Sequence, residues 1–479
     1  MAEDHELVKI DSTGVQREFI ASQLDDFLLE GMHVEDLFTT AEKQTLIRQE
    51  LENLRALSDD KCIHGYITMT LYEGKSIMQT MVDYGLISDI YSLHDKEVLK
   101  KLSQEWCMSF TDQPIDDIKL YFGESVALYF KFIGFYTTAL LIPSILGSIQ
   151  IFLTTDTLPY YCVMNFLWVI IFLEMWKRKS NELAFKWGTI GMTSLDEPQP
   201  NYRGKLGIDP ISGKLQPQYP RWKTNMKMLT WQEKKNAKDT SSSNLLDDTT
   251  HIPLASRIPC LSSDDPRIEQ ANRECTLDEY LGTYDDYLEL YIQFGYVILF
   301  SSVYPLAALF AVLNNVLEIR ADAFKLCKTC KRPPACKVKN IGAWQRAFEI
   351  IGAMSIMTNC GLLWLSPKLR DYGKTMGFSE LEYTFAFVVL EHCLLGIRYV
   401  LHQAIPEKPE WVRIALAKKN YIAKEALKKE TVWCRIKTKE ILQNILYEKI
   451  HIHDNYPGDR LNGIEVDMLQ SHLVGVEIK

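Results

Sequence analysis

No basic stripe runs through the 479 residues: Lys and Arg number 53 against 62 Asp and Glu, a formal net charge of −9. A mildly acidic chain of this kind offers no electrostatic footprint for nucleic acid. The eleven Cys are scattered and odd in number, which argues against a disulfide framework and fits reduced thiols facing cytosol or lipid. The opening Met1-Ala2-Glu3-Asp4-His5-Glu6 is acidic and has no apolar h-region, so a cleaved signal peptide is not expected and insertion would rely on internal spans. There is no nucleotide-binding glycine loop, no nucleophile elbow, no HExxH and no internal repeat. Nothing therefore speaks for an enzyme.

What the chain does have is clustered apolar sequence, hidden by an average of 47% hydrophobic and 24% charged residues. Residues 126–153 carry one charge, Lys131. Residues 160–173 continue through Glu174-Met175-Trp176 into Lys177-Arg178-Lys179. A long stretch at 288–319 is interrupted by Pro305. Residues 341–365 include Arg346 and Glu349, and residues 383–405 include Glu391, His392 and Arg398. About 20 apolar residues cross a bilayer, and the Trp, Tyr and basic residues at these ends suit interfacial anchoring.

The polar remainder divides. Residues 1–120 read as α+β, with helical spacing at 42–57, 76–84 and 96–107, strand character at 63–71 and an extended segment at 86–90. Residues 231–267, with Lys234-Lys235, Ser241-Ser242-Ser243 and Asp247-Asp248-Thr249-Thr250, read as a disordered linker.

Two acidic pairs flank the long stretch. Asp286 and Glu289 precede its run Tyr291–Ala311 at i,i+3, and Glu318 and Asp322 follow that run at i,i+4, so each pair shares one helical face. As a single straight helix the stretch would hold the pairs about 48 Å apart. A hairpin turning at Tyr304-Pro305 would bring them to one depth, because Pro305 lies 16 residues after Glu289 and 13 before Glu318 and proline breaks the helical ladder there. Lys325, Lys328, Lys331 and Arg332 follow the second arm, and the positive-inside rule sets them in the cytosol. Carboxylates at the edge of hydrocarbon call for compensation, and an oxygen-rich set points to Ca²⁺. The alternative is solvated interfacial carboxylates, or partners for bases such as Arg320.

Cys327-Lys328-Thr329-Cys330 followed by Cys336 resembles half a zinc site and reads as free thiols, since no second CxxC or His pair accompanies it. His451, His453 and Asp454 read as a solvated tail. The basic residues of 418–429 read as a solvated helix, with contact to anionic lipid as the alternative.

The runs Tyr287-Leu288-Glu289-Leu290-Tyr291-Ile292-Gln293-Phe294-Gly295-Tyr296, Tyr304-Pro305-Leu306-Ala307 and Leu313-Asn314-Asn315-Val316-Leu317-Glu318-Ile319-Arg320-Ala321-Asp322-Ala323 closely resemble the anoctamin family. So do Tyr121-Phe122-Gly123-Glu124-Ser125, Lys186-Trp187-Gly188-Thr189 and Asn340-Ile341-Gly342-Ala343-Trp344. The resemblance covers residues 40–230 and 268–430. Glu50-Leu51-Glu52-Asn53-Leu54-Arg55-Ala56 and Leu93-His94-Asp95 bring it nearest to a branch associated with the endoplasmic reticulum.

The resemblance implies a dimeric membrane protein with cytosolic termini. Family members have ten transmembrane helices; some are Ca²⁺-activated chloride channels and others Ca²⁺-dependent phospholipid scramblases. Ca²⁺ binds there among the sixth to eighth helices. Asp286 and Glu289 match the seventh-helix acidic positions, and Glu318 and Asp322 the eighth. Lipid headgroups or ions follow a groove lined mainly by the third to seventh helices. Between Pro220 and Arg267, where the third to sixth helices would stand, this chain has only the polar linker. Loss of an even number of spans keeps the later helices in their orientation.

The sequence thus predicts an all-α polytopic membrane protein, anoctamin-like with six spans, and a small N-terminal α+β cytosolic domain. Its segments are a cytosolic domain at 1–120, two spans at 121–180, a cytosolic segment at 181–230, the linker at 231–267, the acidic hairpin at 268–328, two spans at 329–406 and a cytosolic tail at 407–479. Ca²⁺ is the expected cofactor, held by Asp286, Glu289, Glu318 and Asp322. Phospholipids are the expected cargo. The last helix is the expected homodimer contact, with heterodimers among anoctamins as an alternative. The endoplasmic-reticulum membrane is the expected location, the plasma membrane the alternative. Ca²⁺-regulated scrambling is the leading function; an ion channel or its regulator, and a non-transporting form that dimerises with longer anoctamins, are the others.

Overall fold

The computed structural model describes most of residues 7–108, residues 113–153 and 157–190, the strands at 205–208 and 215–218, residues 265–422, and isolated positions up to 437. Residues 231–264 of the expected linker and the histidines of the tail lie outside the described residues, as do parts of the 42–57 and 86–90 segments, while residues 265–267 of that linker open a helix capped by Asp265. Residues up to Lys408 form one unit; the second begins at Pro409 and is helical over 410–422.

The strands form three separate antiparallel pairs: β1 (Val8–Ile10) with β2 (Gln16–Glu18), β3 (Cys62–Ile63) with β4 (Tyr66–Thr70), and β5 (Lys205–Ile208) with β6 (Leu215–Gln218). The first helices are α1 (Leu24–Phe27), α2 (Thr40–Asn53), α3 (Ile77–Asp83), α4 (Lys96–Met108) and α5 (Ile115–Phe122). Then come α6 (Glu124–Phe152), α7 (Leu158–Lys186), α8 (Pro266–Glu274), α9 (Tyr284–Leu299), α10 (Ala307–Phe324), α11 (Ala343–Leu365), α12 (Pro367–Thr375) and α13 (Glu380–Ala404).

Local chemistry sets several of these ends. Thr39 Oγ1 accepts the Glu42 amide proton at 3.2 Å while the Glu42 carboxylate accepts that of Thr39 at 2.9 Å, a capping box that starts α2. Ser379 and Glu382 do the same for α13. Such caps contribute about 1 kcal/mol each.

Among the described residues, four helices are long and apolar enough to cross a membrane: α6, α7, α11 and α13. The expected count of six includes both arms of the acidic stretch, and these fall outside that set. The 16 residues of α9 rise only about 24 Å, short of a hydrocarbon core of about 30 Å. The 18 residues of α10 include Glu318, Arg320 and Asp322.

Aromatic rings knit the bundle. Phe132 on α6 meets Trp176 on α7 at 4.9 Å and Phe348 on α11 at 5.3 Å; Phe294 on α9 meets Phe348 at 5.1 Å. Outward faces stay apolar, as with Leu141, Ile142 and Ile145 on α6 and Phe385, Val389 and Val400 on α13. Several charges within the spans have partners inside the chain. Lys177 pairs with Glu349 at 2.9 Å, His402 Nδ1 lies 2.8 Å from Glu174, and the Arg398 guanidinium donates to the Glu349 carbonyl at 2.8 Å. Paired and inward-facing is the arrangement hydrocarbon demands of ionisable groups.

Candidate functional site

The long apolar stretch is a hairpin. α9 ends at Leu299, residues 300–306 turn, and α10 starts at Ala307, so Pro305 sits in the turn. A turn at membrane depth frees backbone groups that must be satisfied by protein. Asn359 on α11 meets this need: its Nδ2 donates to the Ile298 carbonyl at 2.7 Å, while its Oδ1 accepts from Ser301 Oγ at 3.0 Å and from the Ser302 amide at 3.3 Å. Tyr161 Oη on α7 donates to the Pro305 carbonyl at 3.3 Å.

The two arms then lean apart. α9 packs mainly along α11 and α10 mainly along α6. An open groove of about 510 Å³ runs between them, lined by Asp285, Glu289, Gln293 and Asn314 among apolar residues such as Tyr296 and Phe310.

The hairpin brings the predicted carboxylates together. Glu318 lies within electrostatic reach of Glu289 and Asp322, and Asp322 within reach of Asp286 and Glu289. Three neighbours unread from the sequence hold two of them. Tyr129 Oη on α6 donates to Asp322 Oδ2 at 2.6 Å, and Tyr280 Oη donates to Asp286 Oδ2 at 2.5 Å. Lys325 Nζ stands 3.7 Å from Asp286 Oδ1. Glu318 accepts from Asn314 Nδ2 at 2.9 Å. Arg320, the alternative partner for these acids, donates to the Trp106 carbonyl at 2.9 Å.

Hard oxygen donors of this kind suit Ca²⁺. Two amide side chains add to the set. Gln293 Oε1, and both amide atoms of the fully buried Asn315, have no hydrogen-bond partner. Gln293 follows Glu289 by four residues, and Asn315 precedes Asp322 by seven, so each shares a face with its acidic neighbour. The donor chemistry therefore fits the cation. The set is not drawn into a coordination shell: among the described residues no three His, Cys, Asp or Glu side chains are gathered closely enough to hold a metal ion. Closing it requires the phenol and ammonium contacts to Asp286 and Asp322 to be exchanged for the ion.

The C-terminal end of α10 runs through a π-helical turn, Lys325–Thr329, into a buried polar cluster. Cys327 and Cys330 are buried there, and Cys336 is exposed. His94 Nε2 donates to the Cys330 carbonyl at 3.1 Å, and its Nδ1 lies 3.0 Å from Tyr121 Oη. A carbonyl can only accept, which assigns the neutral Nε2–H form and leaves Nδ1 to accept from Tyr121. Burial pushes the Tyr121 phenol up to about 12, keeping it a donor. Arg332 lies over the Tyr121 ring at 3.8 Å and donates to its carbonyl at 2.6 Å. The Glu274 carboxylate accepts the His94 amide proton at 2.9 Å.

This cluster carries a pH prediction. Burial holds His94 below its ordinary value of 6.5, favouring the neutral ring. The unfolded chain takes up the proton first as pH falls, so this contribution is complete above about pH 6.5 and is lost as pH drops through the folded value. The thermal midpoint is expected to fall on acidification over that window. His94→Gln should lower the midpoint at pH 7.5 and weaken its acid dependence; an unchanged acid slope in the variant would assign the loss to other groups.

Comparisons with known proteins agree with this architecture. The family model described as "Anoctamin: Calcium-activated chloride channel" matches residues 118–233 and 228–419, two segments that meet at 228–233. Human anoctamin-10 is 31% identical over 527 residues, covering 83% of this chain and 79% of the relative. The zebrafish (Danio rerio) anoctamin-10 is 30% identical over 566 residues, covering 90% and 86%. Mouse anoctamin-8 is 41% identical over 175 residues, covering 34% and 15%. Since 83% of 479 residues is about 398, roughly 130 of the 527 positions aligned with the human protein hold no residue of this chain. With the family model spanning most of the chain on either side of 228–233, this multi-pass membrane protein belongs to the anoctamin family.

Proposed function

We propose that the chain is a Ca²⁺-responsive membrane protein that moves phospholipid between bilayer leaflets, with Asp286, Glu289, Glu318 and Asp322 as the Ca²⁺ ligands. The observation that carries this reading is the hairpin, which sets the two acidic pairs within electrostatic reach of each other, with Glu289 lining an open groove between the arms. Carboxylates within electrostatic reach repel one another, the more so at the low dielectric of a membrane edge. Bound Ca²⁺ would supply the neutralising charge. Without the ion, Tyr129 and Tyr280 occupy Asp322 and Asp286, and Asn314 holds Glu318. A change in the spacing of α9 and α10 is the two-state element that the site would bias. A zwitterionic headgroup crosses hydrocarbon slowly because its charges must be desolvated, and a polar groove lowers that cost. In this reading both termini are cytosolic, the protein sits in the endoplasmic-reticulum membrane, and α13 makes a homodimer contact.

A second reading is favoured by one observation. About 130 positions present in the human relative have no counterpart here, enough for four spans with their connections at about 20 residues per span. By the family resemblance these are the third to sixth helices, which line the transport groove. The chain would then be a non-transporting form that dimerises with longer anoctamins. The family description as chloride channels keeps ion conduction as the third reading.

Liposomes containing the purified chain separate the three. Ca²⁺-stimulated exposure of labelled lipid to dithionite is the expected result. Chloride flux without lipid movement would replace scrambling by conduction. Absence of both, with co-purification of a longer anoctamin, would establish the non-transporting form.

A further inference from the structure

We propose that Lys325 is a tethered counter-cation of the acidic site, competing with Ca²⁺ for Asp286 and so setting the Ca²⁺ concentration at which the site fills. The inference rests on the reading of the four carboxylates as Ca²⁺ ligands and adds a regulator to it. Lys325 follows Asp322 by three residues, at the junction of α10 with the π-helical turn, so both side chains lie on one face. Its Nζ is 3.7 Å from Asp286 Oδ1 on the opposite arm. It also acts electrostatically on Asp322 of its own arm, so one ammonium serves a carboxylate from each side of the hairpin.

The placement is held by more than charge. The same Nζ lies 5.5 Å from the centre of the Tyr280 ring, and the Tyr280 hydroxyl donates to the other oxygen of Asp286. Tyr280 thereby fixes the carboxylate and offers its ring face to the cation, a favourable geometry for ammonium. Lys325 is nonetheless 45% exposed, and an ammonium on a four-carbon stem swings away readily. It is therefore displaceable, as a competitor must be. A divalent ion on Asp286 repels the Nζ ammonium beside the same carboxylate, so filling the site displaces Lys325 toward solvent.

Competition by a half-exposed pair is modest, and Lys325→Gln is expected to tighten Ca²⁺ binding roughly two- to fivefold. The test is calorimetric titration of the purified full chain in detergent with Ca²⁺ alone, alongside thermal midpoints with and without Ca²⁺. Lys325→Gln should bind more tightly, melt lower than wild type without Ca²⁺ and gain more from its addition. Lys325→Arg keeps the charge and should match wild type. Equal affinities in wild type and Lys325→Gln, weaker binding in Lys325→Gln, or an arginine variant that behaves like the glutamine one would each overturn the inference while leaving the Ca²⁺ reading in place. Absence of binding in all three proteins would overturn both.

Discussion

Gly147→Ala is expected to destabilise the protein by about 3 kcal/mol or more, at the upper end of what overpacking costs. A Cβ at this position on α6 would lie 2.0 Å from the Pro305 carbonyl oxygen, 2.9 Å from its carbon and 3.2 Å from Tyr161 Oη. The obstacle is backbone, so no rotamer change relieves it. Either the hairpin turn withdraws from α6 or α6 shifts, and in both cases the Tyr161 hydroxyl loses its 3.3 Å contact with the carbonyl. Gly361 on α11 supplies the control, since an added Cβ there meets nothing within 4 Å. Alanine is the better helix former by about 1 kcal/mol, so Gly361→Ala should be neutral or mildly stabilising. Thermal unfolding in detergent, followed by tryptophan fluorescence, compares the two. Equal midpoints would show that α6 and the turn do not meet as described.

Asp286→Asn combined with Glu318→Gln is the second large effect. Both changes are close to isosteric, and the carboxamide oxygen that replaces the Asp286 carboxylate could still accept from Tyr280. The fold should therefore survive, with a thermal midpoint near that of wild type in the absence of Ca²⁺. What changes is charge: two of four carboxylates are removed, one from each arm. Calcium affinity depends strongly on the number of charged ligands, and the expected result is a loss of at least tenfold in Ca²⁺ affinity, equivalent to about 1.4 kcal/mol. Ca²⁺-dependent lipid movement should shift by the same factor. An unaltered Ca²⁺ titration would remove these residues from the site, and with them the mechanism proposed for the hairpin.

Much of this was readable in the chain. The spans expected at 126–153, 341–365 and 383–405 are α6, α11 and α13 with ends shifted by at most three residues. The turn at Tyr304-Pro305 is where the hairpin bends. The Ser379–Glu382 capping box, present in the sequence as S-x-x-E, would have placed the start of α13 correctly. Four helices went unread: α1, α5, α8 and α12 are short, and in α8 and α12 a Pro at the first helical turn was the available signal.

The sequence by itself determined the family, the apolar helices and the positions of four carboxylates, because hydrophobic runs, proline and charge spacing act locally and leave a periodic trace. Only the tertiary structure decided who stands beside those carboxylates. Tyr129 is 193 positions from Asp322, and Lys325 is 39 from Asp286. His94 reaches Cys330 across 236. No periodicity encodes such contacts. They arise when α10 docks along α6 and the hairpin folds back, and burial then requires each polar group to find a partner wherever the packing has put one. For the same reason Lys325 reads from the sequence as one more cytosolic base after a span, and in the structure as the cation already resting on the acidic site.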